Sequence, residues 1–206
     1  TQGALSTGIN AMIADAKPGR EGRALNILHG VYGIGAALSP LTIGILIDSG
    51  IPWRWTLGGT GLIWLGYGLA VLLLVRQDTP DQETQAPKKL DWSMLRQGSF
   101  LGLFAIAFIY NGVAWSLLGW IALFMQDSAN FSTILSLSTV SIFYVALTAG
   151  RFLCASVADW LGHIKLLTIL AFGIAITYPL VVFSGDPWWI VIGVFFTGLS
   201  LSGLFP

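Results

Sequence analysis

The sequence predicts an all-α, polytopic membrane helix bundle. Three observations carry that prediction: 55% of the 206 residues are hydrophobic, only 10% are charged, and the charges cluster between long uncharged windows. Soluble domains carry about a quarter charged residues, and the mean hydropathy here is +0.77. No Asp, Glu, Lys or Arg occurs between Arg23 and Asp48, Arg54 and Arg76, Arg96 and Asp127, Asp127 and Arg151, Lys165 and Asp186, or after Asp186. A helix needs about 20 residues to cross a hydrocarbon core of about 30 Å, and each window supplies that length. A soluble core explains one such run, but not a series separated by short polar turns.

The expected spans are Ala24–Ile47, Trp55–Val75, Gly98–Met125, Thr133–Ala158, Leu166–Ser184 and Trp188–Pro206. The first and second contain Gly30, Gly33, Gly35 and Gly44, then Gly58, Gly61, Gly66 and Gly68. Small residues let helices approach closely in a bilayer, where packing drives association, so these stretches predict a tight bundle. Between the second and third spans, Arg76 to Arg96 mixes both charge signs with Pro80 and Pro87, as a solvated linker does. Trp53, Trp55, Trp188 and Trp189 stand beside Pro52 and Pro187, where interfacial anchors belong. Thr1 to Ala14 reads as a helix already under way and the last window runs to Pro206 without a closing polar loop, so the segment is expected to be internal to a longer chain.

Charge sets the expected orientation. Lys17, Arg20 and Arg23 precede the first span; Arg76, Lys88, Lys89 and Arg96 follow the second; Arg151 and Lys165 are assigned to the loop after the fourth. Of the ten Lys and Arg, Arg54 alone falls on the other side. The positive-inside rule therefore places the linker in the cytoplasm. The organisation expected is a first helical group over 1–75, a linker over 76–97 and a second helical group over 98–206.

Several classes are excluded on the same grounds. A formal net charge of zero provides no basic field for nucleic acid. The single cysteine, Cys154, rules out an internal disulfide framework or a thiolate cluster. No His-Glu-x-x-His, phosphate-binding Gly-Lys-Thr/Ser loop or nucleophile elbow is present, so neither an enzyme nor a cofactor is expected. His29 and His163 stand far apart without paired carboxylates, so no metal site is expected.

Four motifs remain. Gly150-Arg151 is followed by Ala155, Asp159, Gly162, His163 and Lys165. Asp159 near a helix end can accept backbone N–H groups or pair with an arginine of a neighbouring helix; the plainer alternative is headgroup anchoring of Arg151 and Asp159. Gly33-Ile34-Gly35-Ala36-Ala37-Leu38-Ser39-Pro40 places Pro40 within a span, where it removes a backbone donor and kinks the helix. Asn26 and His29, three apart, share one helix face and suit hydrogen bonding to a polar solute or to an adjacent helix. Tyr110, Asn111 and Trp115 combine hydrogen-bonding groups with a flat apolar surface, fit for a cavity wall or for aromatic packing.

The Gly150–Lys165 pattern resembles the cytoplasmic loop signature of the major facilitator superfamily, in its second-half copy. Gly150, Arg151, Asp159, Gly162 and Lys165 match that signature, while Ala155 and Trp160 depart from its usual glycine and basic residue. The Pro40 segment resembles the family's fifth-helix motif. Asn26–His29 and Tyr110–Trp115 resemble the fucose-permease-like, sugar-type branch, although Ala114 stands where an acid is common. The resemblance covers the chain as the end of helix four through helix ten of a twelve-helix carrier, a partial major facilitator fold of two six-helix halves.

What the resemblance implies is a secondary transporter of a small polar solute, sugar-like or another organic metabolite, working by alternating access as symporter or antiporter. Asn26, His29, Tyr110, Asn111 and Trp115 would line its cavity. Arg151, Asp159, Gly162 and Lys165 would form a cytoplasmic latch. The implied partners are a small-molecule substrate, a coupling proton or ion, and the lipid bilayer, with no nucleic acid. The implied location is a bacterial inner membrane. Two alternatives stay open: an efflux carrier of apolar, drug-like compounds on the same fold, and a non-transporting sensor or scaffold.

Overall fold

The computed structural model describes residues 8–12, 21–74 and 97–203, apart from a few side chains within the helices. Six long helices follow one another: α1 (Glu21–Asp48), α2 (Trp53–Leu74), α3 (Gly98–Ala129), α4 (Thr133–Leu161), α5 (His163–Phe183) and α6 (Pro187–Leu201). Residues 8–12 are also helical, and no strand occurs among the described residues. The starts at Gly98 and Thr133 coincide with the sequence expectation. Most of the linker, residues 75–96, lies outside the described residues.

Among the described residues, five helices are long and apolar enough to cross a membrane. The sixth expected span is the 15-residue apolar helix α6, and residues 204–206 of that span lie outside the described residues. Local chemistry fixes several ends. Gly50, at φ +84, closes α1 in a Schellman arrangement, with Gly50 N–H donating to Ile47 O and Ile51 N–H to Leu46 O. Asn130 ends α3 in the left-handed region and donates its N–H to Met125 O. Asp186 caps α6 through a 2.8 Å bond from Trp188 N–H, with Pro187 in the first turn where its missing donor is harmless. Gly162, at φ +82, is the single residue between α4 and α5.

Helix α4 is the centre of the bundle, touching α1, α3, α5 and α6. Its buried Val140, Phe143 and Leu147 meet Leu117, Ile121 and Met125 of α3 and Val194 and Leu201 of α6 in one core. Its buried Ser136, Thr139 and Ser141 are small and polar, and Thr139 Oγ1 donates back to Leu135 O. Close backbone approach explains two glycines. A Cβ at Gly198 would stand 2.6 Å from Phe143 O, and one at Gly33 would collide with the Thr148 side chain. Farther along α1, a Cβ at Gly44 would lie 3.2 Å from Ile134 Cα. Gly33 opposite Thr148 and Gly44 opposite Ile134 make α1 and α4 antiparallel.

The tight packing expected of the α2 glycines is not found among the described residues: there a Cβ at Gly58, Gly61, Gly66 or Gly68 meets nothing within 4 Å. Among the described residues helix α2 touches only α1, and lightly, and within α2 only Thr56 is buried. A second correction concerns Arg151. It does not belong to the loop after the fourth span, because α4 continues through it to Leu161. Arg151 lies within Thr133–Cys154, a stretch long and apolar enough to cross a membrane.

Candidate substrate cleft and the tyrosine–arginine cluster beside it

A cleft of about 610 Å³ opens where α1, α3 and α4 meet. Helix α1 contributes Tyr32, Gly35, Ala36, Ser39 and Pro40; α3 contributes Trp115, Leu118 and Gly119; α4 contributes Val140 and Tyr144. The α1 residues recur every three or four positions, which is one helix face. Pro40 sits inside α1 without interrupting it. Lacking an N–H, it leaves the carbonyl of Ala36, four residues earlier, without its intrahelical donor. Ala36 and Pro40 both line the cleft, so proline exposes a backbone acceptor where a solute's hydroxyl could use it. The Ser39 hydroxyl and the two tyrosines add further groups to otherwise apolar walls.

Tyr32 and Tyr144 bond to each other through their side chains, joining α1 to α4 at the cleft. Next to this pair lies a second contact, from Tyr110 of α3 to the Arg151 side chain of α4. Tyr32 is also within electrostatic reach of Tyr110, and His29 within reach of Arg151. One cluster thus draws side chains from three helices. Arg151 Nε is buried and has no hydrogen-bond partner among the described residues.

The residues singled out in the sequence are only partly brought together. Trp115 lines the cleft, and Pro40 forms part of its wall. Tyr110 and His29 are in the cluster with Arg151. Asn111 faces a separate groove of about 460 Å³ along α3, lined also by Phe104, Ala107, Phe108, Gly112 and Trp115. Its Nδ2 donates to Ala107 O at 2.8 Å, so the helix itself satisfies that donor. Asn26 lies in α1 and Asp159 in α4, but their side chains lie outside the described residues. Gly162 makes the α4–α5 turn, and Lys165 is exposed in the first turn of α5.

Sequence reasoning missed Tyr32 and Tyr144 as cavity residues. Helical spacing held the signal: Tyr32 follows His29 by three, and Tyr144 precedes Arg151 by seven, so each shares a face with a residue already marked. Among the described residues there is no group of His, Cys, Asp and Glu able to hold a metal.

An apolar helical bundle with a cleft between helices is the architecture of a membrane transport protein. The chain matches the Major Facilitator Superfamily over residues 1–206 and belongs to it. Members of that superfamily are transporters, not enzymes, and act on small molecules from within a lipid bilayer. No curated protein and no solved structure matches the chain.

Proposed function

We propose that this protein carries a small polar solute, sugar-like or another organic metabolite, across the membrane by alternating access, as in the sugar-type branch of its superfamily. The single observation that supports this best is the cleft itself: its walls combine Tyr32, Ala36, Ser39 and Pro40 of α1 with Trp115 of α3 and Tyr144 of α4. In this reading α1 and α2 belong to one half of the carrier and α3 to α6 to the other, joined by the 76–97 linker on the cytoplasmic side. A solute held between α1 and α3/α4 then touches both halves, as rocking about a midplane site requires. Hydroxyl groups of the solute would meet the Ala36 carbonyl, Ser39 and the tyrosines, and a ring face would stack on Trp115.

Asp159, Gly162 and Lys165 are proposed to form the latch at the α4–α5 turn, closing the cytoplasmic side in one state and releasing it in the other. Arg151 is two helical turns from Asp159, about 12 Å along the axis, and contributes through Tyr110. The test is solute flux in proteoliposomes containing the intact carrier, with hydrophilic metabolites and apolar dyes offered in parallel. Saturable movement of a polar solute supports the proposal. Movement of dyes alone would replace it with efflux of apolar compounds, and a sealed vesicle with neither would leave a sensor or scaffold.

A further inference from the structure

We propose that the solute is an anion, a small hydroxylated monocarboxylate, and that Arg151 supplies the charge that recognises it; this rests on the polar-solute reading above. A guanidinium inside a membrane bundle is costly unless it finds a partner, and intramembrane ionisable residues mark ligand or ion pathways for that reason. Arg151 stands in the stretch of α4 that is long and apolar enough to cross a membrane, with its Nε buried and unpartnered among the described residues. The groups that act on its surroundings are phenols and an imidazole: Tyr110, Tyr32, Tyr144 and His29. None of these is a carboxylate. The phenol of Tyr110 occupies one side of the guanidinium as a neutral partner and leaves its positive charge without a carboxylate partner among the described residues.

Position favours a ligand as the missing counter-charge. Tyr144 lines the cleft and precedes Arg151 by two helical turns on the same face of α4. Side chains on a helix lean toward its N-terminus. For Arg151 that direction is toward Tyr144 and Val140, and hence toward the cleft. Tyr32, another cleft residue, is within electrostatic reach of Tyr110, which holds Arg151. The cation therefore lies close to the cleft wall.

The composition of the site selects the class of anion. One guanidinium matches one carboxylate, with two N–H donors to two oxygens. A phosphate dianion would call for more positive charge than this cluster holds. The rest of the cleft, with Ser39, two tyrosines, the freed Ala36 carbonyl and the face of Trp115, suits a compact hydroxylated body better than a second charge.

The test compares solutes that differ at a single carbon. Radiolabelled glucuronate and galacturonate are titrated onto the intact carrier in nanodiscs, with glucose, galactose and inorganic phosphate as competitors. The expected result is that a uronate binds saturably and that its parent hexose competes at least about ten-fold more weakly, the loss of one charge-assisted pair. Arg151→Gln should lose a similar factor and Arg151→Lys a smaller one. Each variant is first checked for a monodisperse elution profile, and if Arg151→Gln fails that check the Lys variant decides alone. Equal binding of uronate and hexose, absence of uronate binding, phosphate competing as well as the uronate, or folded Arg151 variants that bind like the wild type would each overturn the assignment. Counterflow of a neutral sugar that ignores Arg151 would remove only the anion, whereas no flux of any solute would remove the transporter reading beneath it.

Discussion

Placing a methyl group at Gly33 should weaken the α1–α4 seam by a measurable and reversible amount. A Cβ there would lie 2.8 Å from Thr148 Cγ2 and 3.0 Å from Thr148 Cβ, and would collide with Thr148 Oγ1. Carbon atoms pack at about 3.5–4.0 Å, so Thr148 or the whole of α1 must retreat by roughly half an ångström or more. Overpacking of that kind costs about 1–3 kcal/mol. With about 2–4 °C of melting temperature per kcal/mol for chains of this size, Gly33→Ala should lower the thermal midpoint of the purified carrier by several degrees. Thr148→Ala removes two of the three clashing atoms, so the double variant should recover most of the loss. Gly58→Ala on α2, where a Cβ meets nothing within 4 Å, serves as the control and should leave the midpoint unchanged or slightly raised. A Gly33→Ala carrier as stable as the wild type, or a double variant no better than the single one, would refute the claim that α1 and α4 pack through this glycine.

Three further outcomes are expected. In a Cys154→Ala background, Gln82→Cys in the linker should resist an impermeant thiol reagent in intact cells, since the loops rich in Lys and Arg are placed in the cytoplasm; ready labelling would invert the topology. Asp159→Asn should reduce transport by about ten-fold or more at equal expression, because a charge-assisted contact is lost in one of two states; unchanged flux would leave headgroup anchoring as its role. Trp115→Ala should weaken the apparent affinity for substrate more than Asn111→Ala does, because Trp115 walls the cleft while the Asn111 amide is bonded to its own helix. The reverse order, measured as KM in uptake assays, would move the site to the α3 groove.

Much of the fold was legible because membrane spans are written in the spacing of charge. An uncharged window as long as the bilayer is thick leaves few alternatives, and the α3 and α4 starts at Gly98 and Thr133 follow from it. The charge count is less exact at Arg151: it assigns this residue to the loop after the fourth span, although the expected span Thr133–Ala158 contains it, and α4 runs through it to Leu161. Pairing between helices was harder to see. These helices are apolar on every side, so no stripe shows which face turns inward. Glycines at Gly33 and Gly58 look alike in sequence, yet one meets Thr148 and the other meets open space. Tyr144 was missed because a single tyrosine in an apolar run signals nothing until Tyr32 of another helix stands opposite it.

The pairing of α1 with α4 also has a consequence for biosynthesis. The contacts of Gly30, Gly33 and Gly44 are with Phe152, Thr148, Ile134 and Leu137, residues that leave the ribosome long after α1 has entered the bilayer. Of the described helices, α2 alone follows α1 into the membrane in that interval, and the contact between them is slight. A helix left waiting in lipid must tolerate lipid on all sides, with its backbone donors satisfied internally. The uncharged run from Ala24 to Ile47 meets that demand, and so does the all-round apolar character that concealed its packing face. Its freed carbonyl at Ala36 is the exception, exposed from insertion until α3 and α4 arrive to enclose it. Synthesis of this protein therefore passes through a stage in which the first wall of the cleft is in the membrane before its α4 partner, and variants that make α1 more polar should be lost to quality control before transport can be measured.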